Sequence, residues 1–151
     1  MKIKRLVLLS VAIATAACAH VSTNATTLDP SIRLARTCPL GVKLYTSPDR
    51  VDQPYREIAL INSMGDADHS DEGEMYHSMR EMAAKVGANG VVLGGIDEPN
   101  AITRVAADVA KTGTARRGRA MAIYVAADSA SGAAACNNYK APSWLHRYFG
   151  L

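Results

Sequence analysis

The sequence predicts an α+β (or α/β) domain of about four strands and two helices that contains a β-α-β crossover. Three observations predict it. Residues 41–46 alternate, with Val42 and Leu44 on one side and Lys43 and Tyr45 on the other, the period of a half-buried strand. Residues 71–86 repeat Met75, Met79, Met82, Ala83 and Val86 at helical spacing. Residues 91–96 return to a short apolar run in Val91, Val92 and Leu93, so the order strand, helix, strand reads as a right-handed parallel crossover.

Each element has local punctuation. Ser47-Pro48-Asp49 ends the first strand, because proline cannot continue a ladder and aspartate favours turns. Residues 55–62 form a second strand whose continuous run Ile58-Ala59-Leu60-Ile61 predicts cover on both faces. Gly65 breaks it. Asp71 and Glu74 then stand at capping-box spacing, and Gly87 permits the left-handed conformation that closes a helix. Pro99-Asn100 opens a second helix, with Ile102, Val105 and Val109 on one face and Arg104, Asp108 and Lys111 elsewhere. Residues 112–118 read as a loop carrying Arg116 and Arg117, and residues 120–125 as the last strand.

The ends of the chain are read differently. Residues 1–5 hold three positive charges and residues 6–17 are an uncharged run of apolar and small side chains, the pattern of a signal peptide. That run is about a dozen residues, against roughly 20 for a spanning helix. Thr15-Ala16-Ala17-Cys18 resembles a lipobox, in which Cys18 takes a lipid before cleavage; Ala17-Cys18-Ala19 also fits ordinary secretion. In lipoproteins of diderm bacteria, Ala19 after the cysteine implies the outer membrane. The domain plan is a leader at 1–17, a flexible lipid-proximal tether at 18–31, a globular unit at 32–127, and a small-residue linker with an aromatic tail at 128–151. In the tail, Trp144, Leu145, Tyr148 and Phe149 fit one side of a short helix, as a strap on the domain or a foot on a membrane or partner.

Three of the seventeen Lys and Arg residues lie in the leader, leaving fourteen against fourteen Asp and Glu. The mature chain is formally neutral, so its charge gives no reason to expect nucleic acid as a partner. After Cys18 takes the lipid, Cys38 and Cys136 remain, and in an oxidising envelope they close one disulfide; the alternative is two free thiols.

Pro54-Tyr55-Arg56-Glu57-Ile58, residues 83–92 and residues 118–125 together resemble the small bacterial envelope lipoproteins related to the YbjQ domain and the Rcs stress-sensor lipoprotein. The resemblance covers roughly residues 38–125. It implies an envelope lipoprotein of this fold, with stress sensing as one candidate role; with the Cys18 anchor the expectation is an outer-membrane lipoprotein facing the periplasm and no cofactor beyond the lipid.

The chemistry-bearing residues are sparse. Asp66, Asp68, His69, Asp71, Glu72 and Glu74 are oxygen-rich but lack the glycine and terminal bidentate glutamate of an EF-hand loop. The favoured reading is carboxylates gathered at a helix N-terminus. His69 and His77 with Asp66 fall short of the four ligands of structural zinc. Arg116, Arg117 and Arg119, with Trp144, are candidate interaction residues for lipid head groups or acidic polymers. Gly94-Gly95 lacks the spacing of a dinucleotide-binding turn, and no serine stands in a nucleophile elbow. Cys136 as a nucleophile needs His77 or His146 folded against it. The expectation is therefore a non-enzymatic binding or stress-sensing lipoprotein. A soluble periplasmic metal binder and an envelope hydrolase are the alternatives.

Overall fold

The computed structural model describes residues 21–140. Cys18, Trp144, Leu145, His146, Tyr148 and Phe149 lie outside them. Five strands form one mixed sheet: β1 (Val21–Thr27), β2 (Lys43–Tyr45), β3 (Tyr55–Asp66), β4 (Gly90–Asp97) and β5 (Ala115–Val125), in the order β1-β3-β5-β4-β2. Three α-helices accompany it: α1 (Glu72–Lys85), α2 (Ala101–Ala110) and α3 (Ser129–Cys136).

The helix α1 begins where the sequence places it. Asp71 accepts from the Glu74 amide at 2.7 Å, and the Glu74 carboxylate accepts from the Asp71 amide at 3.2 Å. Two amides without intrahelical partners are satisfied by this exchange. Gly87, at φ +81°, closes the other end, where a Cβ would lie 2.4 Å from Leu34 Cβ. Met75, Met79, Ala83 and Ala84 turn onto the sheet.

Glycine and alanine on β5 make room for the two methionines. A Cβ on Gly118 would sit 2.4 Å from Met79 Cε, and Ala120 and Ala122 continue the same face. Ile58, Ala59, Ile61, Val42 and Val91 complete this core. A second, smaller cluster of Val92, Ile123 and Val125 lies with Tyr45, Val51 and Met121.

Strands β3 and β4 are parallel to one another, as the crossover predicts, but they are not neighbours. The strand β5 runs antiparallel to both and lies between them. The second departure concerns β3, which is not covered on both faces. The register shifts between Glu57 and Ala59, so Ile58 and Ala59 are both buried while Leu60 and Met64 stay 44% and 48% exposed. A bulge, not a second covering layer, accounts for the continuous apolar run. Gly94-Gly95 likewise marks the register shift between Leu93 and Ile96, with Gly95 at φ +87°.

Two segments read as unstructured are regular. Residues 21–27, inside the predicted tether, form the edge strand β1, because Val21, Thr23 and Ala25 alternate inward. Thr23 Oγ1 donates to Ser63 Oγ at 2.8 Å and accepts from Ser78 Oγ at 2.7 Å, so a hydroxyl relay joins β1, β3 and α1. The predicted small-residue linker contains α3. It approaches the turn of residues 39–41 so closely that a Cβ on Gly41 would lie 2.6 Å from the Gly132 carbonyl oxygen.

Candidate functional site

The register separates the molecule into two ends. At one end lie Val21, Gly65–Asp66, Asp97 and Ala115–Arg117, with α2 joining β4 to β5. At the other lie Lys43, Tyr55, Val125 and α3. All the charged candidates fall at or near the first end.

The predicted acidic cluster is built from turn and cap contacts. Asp66 Oδ1 accepts from the Asp68 amide at 2.8 Å and lies 3.1 Å from His69 Nδ1. These contacts, the amide first, hold its carboxyl below the ordinary carboxylate range. Asp71 is committed to the α1 cap. Among the described residues no group of three or more His, Cys, Asp and Glu is placed to hold a metal ion. His77 Nε2 sits 3.3 Å from Glu81 Oε1 on its own helix, whereas His69 meets Asp66.

Arg116 and Arg117 are strand residues of β5 and not part of a loop. Arg116 is drawn into the structure by Glu98, 2.5 Å from its Nε, and by the Ser70 carbonyl that accepts from its Nη1. It ties β5 to the turn before α1. Alternation then puts Arg117 and Arg119 on the opposite, open face beside Asn62 and Met64. Among the described residues Arg119 meets Asp97 loosely at 3.6 Å, with both side chains exposed.

Helix α2 is capped by Asn100, whose side chain accepts from the Thr103 amide at 2.8 Å. Between it and the ends of β4 and β5 lies an open cleft of about 680 Å³, lined by Asp97, Thr103, Ala107, Thr114 and Arg117 among others. Among the described residues the lining offers carboxylates, hydroxyls, the Asn100 amide and the Arg117 guanidinium but no imidazole or thiol. Only Ala107 of the helix is buried. Ile102, Val105 and Val109, the stripe an amphipathic helix ordinarily turns to a core, are 81%, 62% and 82% exposed.

At the other end Cys38 and Cys136 form a disulfide with their Cα atoms 5.6 Å apart. The Cys38 amide and the Thr37 hydroxyl donate to Cys136 Sγ at 3.3 and 3.4 Å. Held in this bond, Cys136 has no thiolate to act as a nucleophile. At the other end of α3 the Asp128 carboxylate accepts from Lys43 Nζ at 2.9 Å and from Tyr45 Oη at 3.4 Å. Asp128 and Asn89 hold this end together through contacts that the sequence did not single out. Asn89 is buried and pairs with both backbone groups of Val125, accepting at 2.7 Å and donating at 2.8 Å. Its only sequence signal is the Gly87-Ala88-Asn89 turn.

No family model matches the chain, and no curated protein matches it. Among solved structures the chain is similar to FvfA, a Francisella virulence factor crystallised in an orthorhombic form. The identity is 14% and the TM-score 0.48, over 68% of this chain and 96% of that one.

Proposed function

We propose that the chain is an envelope lipoprotein, anchored by lipid on Cys18 to the outer membrane, whose folded domain is a binding or stress-sensing module. The observation that carries this reading is the leader of residues 1–17 followed by Cys18, with the first strand starting at Val21. Cleavage before Cys18 removes no residue of the described fold. The Cys38–Cys136 disulfide suits the oxidising envelope compartment that such a leader addresses. No helix among the described residues is long and apolar enough to cross a membrane.

The test is the intact mass of the protein purified from the envelope of its own cells, with and without reductant and beside Cys18→Ala. The reading expects a chain starting at Cys18 with added acyl mass, gaining two hydrogens on reduction. A chain starting at Ala19 or His20 without acyl mass sinks the anchor and leaves a freely diffusing periplasmic protein. The binding role is tested by crosslinking in intact cells, and is abandoned if no envelope protein or polymer is captured reproducibly.

A further inference from the structure

We infer that the exposed apolar stripe of α2 is a docking surface for a lipid bilayer, the one that holds the chain's own anchor. The inference rests on the anchored reading for its biology. Its geometry comes from where the fold begins.

Val21, the first residue of β1, pairs with Gly65, and Gly65 pairs with Arg116 at the start of β5. The chain therefore enters the sheet at the end that carries α2, two strand spacings or about 10 Å from β5. Cys18 is three residues before Val21, a reach of about 10 Å at full extension. A lipid on Cys18 then leaves no slack for the domain to present any other end to the membrane.

The stripe at that end has the character the bilayer requires. Ile102, Val105 and Val109 recur at i, i+3 and i+7, within one narrow sector of the helix, and all three are exposed. Thr103, Ala106, Ala107 and Ala110 face the cleft instead, so the stripe is turned away from the body. A helix of ten residues binds a membrane poorly by itself. A short tether makes the contact effectively intramolecular and removes that deficit.

Charge does not select the surface. Asp66, Asp97 and Glu98 share this end with Arg104, Arg116 and Arg119, and several of them pair. The contact is therefore apolar and holds on uncharged lipid. The chain's own aromatic tail leaves the described fold at the opposite end. Tyr139 bonds back to Cys136 at the disulfide end. The eleven residues of β5 put α2 about 35 Å away. Phe149, nine residues past Lys140, reaches about 30 Å only when fully extended.

The test couples the mature chain, disulfide intact, through its Cys18 thiol to maleimide-lipid in phosphatidylcholine vesicles and follows amide hydrogen exchange. Amides of residues 101–111 are expected to slow about tenfold relative to untethered protein mixed with the same vesicles, while residues 126–136 at the far end are unchanged. Val105→Asp with Val109→Asp is expected to abolish the slowing and leave the melting temperature unaltered. Equal exchange in tethered and free protein overturns the inference. So does slowing without vesicles that grows with protein concentration, which assigns the stripe to a second copy. Because the lipid is attached chemically, these outcomes do not depend on whether cells acylate Cys18.

Discussion

Asn89 joins β4 to β5 where the ladder would otherwise stop. Its amide supplies the donor and acceptor that a further strand residue would have given to Val125. Removing it leaves two buried backbone groups unpaired, at about 1–3 kcal/mol each. Asn89→Ala is expected to lower unfolding stability by about 2–4 kcal/mol in urea titration, with the slope unchanged. Tyr76 shows a second residue-scale effect. Its hydroxyl donates to Glu72 Oε1 at 2.5 Å, and this bond, then desolvation, pushes its pKa up to about 12 from 10.0. A raised tyrosine favours the neutral form in the folded state. Its contribution is complete below pH 10 and is lost as pH rises through about 12. Absorbance titration should resolve one tyrosinate with that late midpoint, and Glu72→Gln should bring the midpoint down.

At the scale of elements, Lys111 closes α2 at φ +53°, a left-handed conformation that costs a side-chained residue about 1 kcal/mol. Lys111→Gly is expected to stabilise α2, read as slower amide exchange across residues 104–111 with the rest of the molecule unaltered. Elements with strong local signals were legible. The α1 cap, its methionine stripe, its glycine stop, the Asn100 cap and four strands all follow from patterns within a few residues. What escaped depends on distant partners. β1 is mostly polar, and its inward face depends on Ala25 meeting the core and on the Thr23 relay to Ser63 and Ser78, forty and fifty-five residues away. α3 contains Gly132 and has no buried stripe, and is placed by the close approach at Gly41 and the disulfide. The direction of the crossover was readable, whereas the insertion of β5 between its strands was not, because small side chains on one strand do not name their neighbours. The candidate site was legible as residue types more than as roles. The acidic cluster and Arg116 resolve into turn, cap and ion-pair contacts, and the outward direction of the α2 stripe needs the packing of the whole end.

For the whole molecule, the disulfide and the entry of the chain lie at opposite ends of the sheet. The bond spans 98 residues and encloses every strand and helix of the described fold except β1. In the chain-entropy account a loop of that size adds about 4–5 kcal/mol by restricting the unfolded chain. It fastens only α3 and the turn of residues 39–41 in the native state, while the two apolar clusters rest on other elements. Reduction is therefore expected to lower the urea midpoint steeply yet leave a folded protein at 25 °C, since the native contacts of α1 with β3, β4 and β5 do not pass through the bond. The same separation sets the outcome at the membrane. Reducing the tethered protein well below its melting temperature should speed exchange in residues 126–136 and leave residues 101–111 as protected as before. Loss of protection at both ends together would mean that the sheet transmits the state of the disulfide to α2, and that the two ends do not act independently.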